Sequence, residues 1–159
     1  MTGALRLDAV FASPLGRLGI VIQGGALSRV AFLPRDHALI RPVEPLATLV
    51  VERLRAFFDD PCADLDMELH LSGTAFQQRV WRALERIDVG TVCTYGALAR
   101  RLATSAQAVG NACRANPVPI VVPCHRVVAS RGVGGFAGHS SGRLISIKRQ
   151  LLRHEGVEI

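Results

Sequence analysis

The sequence contains no apolar run that approaches the roughly 20 residues needed to cross a bilayer. Residues 1–14 alternate polar and apolar side chains and include Asp8, a pattern unlike that of a secretory signal peptide. Cysteine is scarce, and no two cysteines form a C-x-x-C pair; the positions are Cys62, Cys93, Cys113 and Cys124. We therefore expect a cytoplasmic protein without a disulfide framework, a metal site or another cofactor.

The remaining composition favours a packed globular protein. Of the 159 residues, 49% are hydrophobic and 20% are charged, which argues against a disordered chain. The length suits one domain, or two small lobes that share a core.

Charge is unevenly distributed along the chain. Residues 1–70 contain 7 Arg and 9 acidic residues, for a net charge of −2, whereas residues 71–159 contain 12 basic and 4 acidic residues, for a net charge of +8. The basic half suits a polyanionic partner, and nucleic acid is the first candidate. On charge alone, a solvated basic surface explains the asymmetry equally well.

Residues 1–70 are expected to form a structural α/β lobe. Short β-prone runs at 10–11, 18–22 and 27–33 are separated by turn signals, which predicts a small antiparallel sheet. Apolar residues at helical spacing predict a helix over 44–58, and apolar alternation predicts a further strand over 65–71. No catalytic constellation occurs in this lobe.

Residues 71–159 are expected to be mainly helical. Candidate N-caps predict helices over about 74–87, 95–102 and 105–115, and apolar spacing predicts a final helix over 144–154 with Lys148 away from its apolar face. The second and third helices are short and joined by a tight turn, and the third is rich in small residues. That pattern suits a helix-turn-helix that approaches DNA closely. A plain helical hairpin packed in a core is the alternative.

A proline-rich segment delivers a cysteine and a histidine to one place. Three prolines between residues 117 and 123 exclude a helix and favour extended geometry, and the apolar residues among them predict a buried segment. Cys124 and His125 follow at its end. A thiol attacks as the thiolate, and an adjacent base makes ionisation possible near neutral pH. Taken alone, however, this dipeptide is better explained by an inert buried cysteine.

The longer sequence around Cys124 resembles the active-site signature of the O6-alkylguanine-DNA alkyltransferases, also called methylated-DNA–protein-cysteine methyltransferases. The core of the resemblance is Pro-Cys-His-Arg-Val at 123–127, and the similarity runs from about Gly73 to Gly156. Further matching segments are 76–81, 95–96, 108–110, 114–117 and 151–156. The resemblance implies an α/β fold in which a small ribonuclease-H-like N-terminal lobe precedes a mainly helical lobe that contains a helix-turn-helix.

The same resemblance implies a role for each site residue. Cys124 would accept the alkyl group from guanine O6, His125 would take the thiol proton through a bridging water, and Glu155 would hold the imidazole. Asn116 would brace this relay. Tyr95 would donate a hydrogen bond to N3 of the departing guanine, where negative charge develops. The thioether product is not reversed, so each molecule acts once.

Substrate recognition is implied in the same way. The main-chain carbonyls of Cys124 and Val127 would accept hydrogen bonds from the guanine exocyclic amine. Residues 136–143, the part of the glycine-rich loop over 129–143 that includes Ser140, would wall the alkyl pocket. O4-alkylthymine is a second expected substrate. A stacked base must be flipped out of duplex DNA before a buried thiol can reach it.

The expected partner is double-stranded DNA that carries O6-alkylguanine, bound by a monomer. The second motif helix would approach the minor groove. The family usually places an arginine in the gap left by the flipped base, whereas this sequence has the shorter, neutral Gln107. A phosphate contact, an exposed position and an internal salt bridge all explain Arg114, and Trp81 suits a core better than a base stack. The implied DNA contacts are Ala106, Gln107, Ala108, Gly110 and Arg114.

Three other functions fit parts of the sequence. A non-enzymatic lesion sensor of the alkyltransferase-like kind lacks the acceptor cysteine, but Cys124 is present. A transcription regulator that uses Cys124 as a redox or alkylation sensor would normally bring a dimer interface or an effector domain, and neither is evident. A Cys-His hydrolase would turn over many times, whereas the alkyltransferase stops after one alkyl group.

Overall fold

The computed structural model describes residues 6–137 and 142–159. The fold is mixed α/β, and the chain divides into two compact units, Met1–Ser72 and Gly73–Ile159. Within the described residues, no helix is long and apolar enough to cross a membrane.

The first unit contains the antiparallel sheet that the sequence predicts. Its strands are β1 (Ala9–Ser13), β2 (Gly16–Gln23) and β3 (Ala26–Leu33), in the order β1-β2-β3. Gly24 and Gly25 form the turn between β2 and β3 with left-handed φ angles of 60° and 74°. Residues with a side chain adopt these angles at a cost, so the glycine pair selects this turn.

Helix α1 (Pro45–Asp59) forms where the apolar spacing predicts it, whereas the strand predicted over 65–71 is wrong. That segment forms a single bridge, between Leu27 and Leu69. One reason lies in Arg53 on α1, whose Nη1 donates to Asp64 Oδ2 at 2.6 Å and to the Asp66 carbonyl at 3.1 Å. These contacts hold the start of the segment to the helix, so it does not extend as a strand.

The second unit is mainly helical, and hydroxyl caps set the start of three of its helices. The side chains of Thr74, Thr94 and Ser105 accept hydrogen bonds from backbone N–H groups three residues later, at 3.1, 3.0 and 3.1 Å. A cap of this kind stabilises a helix by about 1 kcal/mol. Each helix begins and ends within two residues of its predicted limits: α2 (Ala75–Glu85), α3 (Tyr95–Arg101), α4 (Ala106–Arg114) and α5 (Arg143–His154).

Trp81 fixes α4 against α2. Its side chain is 1% exposed, and its Nε1 donates to the Ala112 carbonyl at 2.9 Å. This placement agrees with a core position for Trp81. The turn between α3 and α4 is tight, with Ala103 at a φ of 55° and the Thr104 N–H donating to the Ala99 carbonyl at 3.0 Å.

The proline-rich segment is buried as predicted, but it is not simply extended. The Val122 N–H donates to the Val118 carbonyl at 2.9 Å, and Ile120 between them has a φ of 77°. The prolines exclude a helix, and the chain forms a compact turn instead. The turn leads into a 3-10 turn at Cys124–Arg126 and then into β5 (Val127–Val128).

A short parallel pairing, not predicted from the sequence, positions two parts of the site. Strand β4 (Cys93–Thr94) pairs with β5, in a register that places Cys93 opposite Val127. Because α3 begins directly after β4, this pairing places Tyr95 close to the chain that leaves Cys124.

Candidate functional site

A cavity of about 470 Å³ opens in the second unit, and Cys124 forms part of its wall. This volume lies within the range of about 300–1,000 Å³ that is usual for small-molecule sites. Helix α3 contributes Tyr95, and α4 contributes four of the predicted DNA contacts. Those four are Ala106, Gln107, Gly110 and Arg114. The fifth, Ala108, is not part of the wall, and its N–H is used in capping by Ser105.

Cys124 is held as a buried thiol. It is 6% exposed, and its N–H donates to the Val122 carbonyl at 2.8 Å. Burial raises the pKa of the thiol, while a hydrogen bond from the Asn116 side chain and the charge of Lys148 lower it. Burial is the largest of these effects, so Cys124 needs a base before it can attack.

Asn116 braces the turn that precedes Cys124. Its Nδ2 donates to the Val122 carbonyl at 2.8 Å, and its Oδ1 accepts from the Val118 N–H at 3.0 Å. One side chain therefore satisfies backbone groups on both sides of the turn and also contacts the thiol.

His125 and Glu155 form a buried pair beside Cys124. His125 Nε2 and Glu155 Oε2 are 2.8 Å apart, and both side chains are 0% exposed. Burial lowers the pKa of His125, so the imidazole is neutral near pH 7. Its Nδ1 is buried and has no hydrogen-bond partner among the described residues. The pair thus has the chemistry of an oriented base with one nitrogen left to take a proton.

Arg126 contacts the same carboxylate. Its Nε donates to Glu155 Oε1 at 2.9 Å and its Nη2 donates to Oε2 at 3.0 Å. Burial alone would raise the pKa of Glu155, but the hydrogen bonds from His125 and Arg126 outweigh it and lower this pKa to about 2. The carboxylate is therefore ionised throughout the neutral range.

Lys148, the only lysine in the sequence, is a site residue that sequence reasoning missed. It is 0% exposed, and its Nζ donates to the carbonyls of Val127 and Gly135 at 2.7 and 2.8 Å. Burial lowers its pKa to about 8. The prediction that Lys148 lies away from the apolar face of α5 is wrong. Its spacing of three residues from both Ile145 and Leu151 places it on their buried side, which was a usable signal.

Tyr95 lies against Lys148 and the loop that follows β5. Its hydroxyl donates to the Gly135 carbonyl at 3.3 Å and accepts from Lys148 Nζ at 3.5 Å. Burial raises the pKa of Tyr95, so the hydroxyl keeps its proton and can act as a donor. Gly134 has a φ of 77°, and a Cβ there would lie 3.0 Å from Tyr95 Cε2. Only glycine lets this loop approach the ring so closely.

The other cysteines differ in their surroundings. Cys62 is exposed and Cys93 is buried. Cys113 lines the cavity together with Cys124, although no role was predicted for it. Burial raises the pKa of Cys113 to about 12, so it is a protonated thiol at neutral pH.

Two further expectations concern the loop and metal binding. Ser140, predicted to contact the substrate, lies outside the described residues. Within residues 6–137 and 142–159, no group of three or more His, Cys, Asp or Glu side chains is placed to hold a metal ion.

Comparisons with known proteins give a consistent result. Residues 75–157 match the family model of the 6-O-methylguanine DNA methyltransferase DNA-binding domain. A methylated-DNA–protein-cysteine methyltransferase of Mycobacterium tuberculosis is 37% identical over 149 residues, covering 90% of this chain and 88% of that protein. One from Mycolicibacterium paratuberculosis is 45% identical over 133 residues, covering 79% and 81%. The crystal structure of Mycobacterium tuberculosis OGT in complex with DNA matches with a TM-score of 0.73 and 37% identity, over 92% of this chain and 90% of that one.

Proposed function

The chain belongs to the methylated-DNA–protein-cysteine methyltransferase family, and on that premise we propose that it repairs O6-alkylguanine in DNA by transferring the alkyl group to its own Cys124. One observation carries the choice of acceptor. Cys124 is a wall residue of the cavity and is followed directly in sequence by His125, which pairs with Glu155. A nucleophile that lines an opening therefore has an oriented base directly next to it in the chain.

The proposed reaction is a single displacement. His125 takes the Cys124 proton at Nδ1 through a bridging water, and Glu155 stabilises the imidazolium that forms. The sulfur then bonds to the alkyl carbon as the bond from that carbon to guanine O6 breaks. The electron pair of the broken bond goes to the purine. Tyr95 then turns its single O–H from the Gly135 carbonyl to N3 of the purine and donates a hydrogen bond there. A stable thioether remains, so each chain transfers one alkyl group.

Guanine selection follows from main-chain groups in this proposal. The carbonyls of Cys124 and Val127 accept hydrogen bonds from the exocyclic amine. The Val127 carbonyl already accepts from Lys148 at 2.7 Å, and a carbonyl oxygen has a second lone pair for the base. Ser140 belongs to the loop that closes the alkyl pocket. O4-alkylthymine is a second substrate, because it presents the same kind of alkyl–oxygen bond.

DNA binding is proposed for α3 and α4, acting as a helix-turn-helix in the minor groove. Four α4 residues lie on the same cavity as Cys124, so the helix that meets DNA and the thiol that meets the base share one opening. Duplex DNA reaches that opening by flipping the alkylated base, and Gln107 occupies the space left in the stack. Arg114, exposed at the end of α4, contacts a phosphate.

The remaining assignments concern the whole chain. All proposed site residues lie within Gly73–Ile159, so one copy suffices and the protein acts as a monomer. The first unit then has a structural role, with a ribonuclease-H-like arrangement.

Mass spectrometry tests the acceptor directly. Incubation with duplex DNA that carries O6-methylguanine should add one methyl group per chain, and peptide mapping should place it on Cys124. Cys124→Ser should bind the same DNA but gain no methyl group. Methylation of Cys113 or Cys93 in the unsubstituted protein would overturn the assignment, and repeated turnover without a protein adduct would favour a hydrolase.

A further inference from the structure

Arg126 and His125 both meet the carboxylate of Glu155. The arginine contacts both carboxylate oxygens, with Nε at 2.9 Å and Nη2 at 3.0 Å, while His125 Nε2 lies 2.8 Å from Oε2. This two-point contact uses the planar fork of a guanidinium, which a lysine does not have. The displacement described above gives Arg126 no task.

The arginine is also fixed on its far side. Its Nη1 donates to the Ile87 carbonyl, just beyond α2, at 2.5 Å. Arg126 and His125 are consecutive in the 3-10 turn Cys124–Arg126, whereas Glu155 lies at the end of α5. Hydrogen bonds to the Ile87 carbonyl and to Glu155 fix the guanidinium in place. The carboxylate that it contacts therefore cannot rotate away from the imidazole.

Charge balance gives this contact a chemical consequence. A buried carboxylate that faced the imidazole alone would favour a positively charged imidazole, because opposite charges stabilise each other strongly away from water. Arg126 neutralises that carboxylate, with its own side chain 11% exposed and that of Glu155 0% exposed. The groups that act on the charge of His125 are Glu155, Arg126 and Lys148, and Glu155 is the only negative one.

We propose that Arg126 is a positioning residue of the proton relay. By holding Glu155 in a two-point hydrogen bond and balancing its charge, it keeps His125 aligned and neutral, ready to accept the Cys124 proton. This inference rests on the proposed function above, in which His125 is the base.

The proposal predicts a change in the pH profile when Arg126 is replaced. Burial is the main reason that the pKa of His125 is low, and the positive charge of Arg126 lowers it further. Replacement by glutamine removes that charge, so the pKa of His125 rises. His125 accepts a proton only when it is neutral. As the pH is lowered, the rate of the variant should therefore begin to fall at a higher pH than the rate of the unsubstituted chain. We expect the acid limb of the pH–rate profile to move to higher pH, so that Arg126→Gln loses a larger fraction of the rate at the acid end of the profile than at pH 8.

The experiment follows Cys124 alkylation by the free base O6-benzylguanine, by intact mass under single-turnover conditions between pH 5 and pH 8.5. The proteins are the unsubstituted chain, Arg126→Gln, Arg126→Lys and the control Arg153→Gln, which removes an exposed arginine from α5. Circular dichroism at each pH restricts the comparison to folded protein. The lysine variant keeps the charge but loses the fork, so its acid limb should stay in place while its maximal rate falls. The Arg153 control should match the unsubstituted chain.

The outcomes separate this inference from the function on which it rests. An Arg126→Gln rate reduced by the same factor at every pH shows a purely structural role and overturns the inference, while the acceptor assignment stands. Label on a residue other than Cys124 in the unsubstituted chain overturns the function itself. If Arg126→Gln does not fold, Arg126→Met takes its place, because it also removes the charge, and the same criteria apply to its pH profile. In the lysine variant, a rate equal to that of the unsubstituted chain at every pH shows that the two-point contact is not needed and overturns the positioning role.

Discussion

At the scale of single residues, the site depends on how burial and hydrogen bonds set the charge of a few groups. Burial keeps Cys124 a thiol and His125 a neutral imidazole, so that of these two and Glu155 only Glu155 is firmly ionised. The charge of Lys148 lowers the pKa of Cys124, but burial outweighs it, so Cys124 is not activated at rest. In the proposed reaction His125 must remove this proton, so the rate should depend more on the His125–Glu155 pair than on the thiol itself.

Replacement of Glu155 tests that dependence. Glu155→Gln removes the negative charge that stabilises the imidazolium, so proton removal from Cys124 becomes harder. We expect slower alkyl transfer and a higher apparent pKa for Cys124, measured from the rate of iodoacetamide labelling against pH. The variant also leaves the largely buried Arg126 without its charged partner, which should destabilise the fold by about 3–5 kcal/mol.

Glu158→Gln is the matched control, because it makes the same chemical change at an exposed residue three positions along the chain. It should leave both the labelling profile and the transfer rate unaltered. An unchanged thiol pKa in folded Glu155→Gln would count against the relay.

Glu155 also predicts how stability depends on pH. Its pKa falls from 4.5 to about 2 in the folded protein, so the ionised carboxylate stabilises the fold fully above pH 4.5 and loses this effect as the pH falls toward 2. The difference corresponds to about 3 kcal/mol. Urea unfolding between pH 5 and pH 2 should therefore show a steeper loss for the unsubstituted chain than for Glu155→Gln. Equal slopes would contradict this account.

At the scale of secondary-structure elements, α4 is the part of the site most open to change. Ala106 and Gln107 begin the helix, both are exposed, and both line the cavity with Cys124. A longer side chain at position 107 can extend beyond the cavity without disturbing the buried face of α4, which is formed by Val109, Ala112 and Cys113.

Gln107→Arg should accelerate repair in duplex DNA but not alkyl transfer from free O6-benzylguanine. Flipping a base costs a few kcal/mol, and a longer cation fills the vacated stack and attracts nearby phosphates better than glutamine does. The free base needs no flipping. The measurement is the single-turnover rate on both substrates at matched salt.

Asn111→Arg is the control for added charge, because Asn111 is exposed on the same helix but does not line the cavity. It should strengthen DNA binding without the gain in duplex repair rate. If Gln107→Arg leaves the duplex rate unchanged, or speeds both substrates equally, position 107 does not enter the base stack.

Most helices could be predicted because their signals are local. Thr74, Thr94 and Ser105 mark helix starts by hydrogen bonds that span three residues, which a sequence displays directly. The strand predicted over 65–71 does not form, in part because Arg53, which is distant in sequence, donates a hydrogen bond to the Asp66 carbonyl. The pairing of β4 with β5 was missed for a similar reason, since two residues carry no periodicity and only the tertiary fold brings them together.

In the candidate site, too, the residues could be predicted where the signal is local in sequence, and were missed where the contacts form only in the folded chain. Cys124 and His125 are adjacent in sequence, and the resemblance supplied Glu155 and Tyr95. The cluster around Lys148 was missed because its partners are the backbone carbonyls of Val127 and Gly135. Backbone acceptors have no residue type, so no sequence pattern could indicate them, whereas the helical spacing of Lys148 could have indicated its burial.

At the scale of the whole molecule, charge is divided between the two units in the same way as the proposed function. Residues 1–72 carry 7 Arg and 9 acidic residues, and residues 73–159 carry 12 basic and 4 acidic residues. The unit with the excess positive charge also holds the cavity and Cys124. Binding to duplex DNA should therefore weaken steeply as salt rises, because each phosphate contact releases condensed counterions.

The salt dependence can be assigned to individual residues in the full-length chain. Arg114→Gln, at the cavity on α4, should reduce the slope of log K against log salt by about one and weaken duplex binding. Arg29→Gln, which removes an exposed arginine from the first unit, should leave that slope unchanged. Alkyl transfer from free O6-benzylguanine should show little salt dependence in all three proteins, because no phosphate is involved. If both substitutions reduced the slope by the same amount, DNA would contact both units. The assignment of DNA binding to residues 73–159 alone would then be wrong.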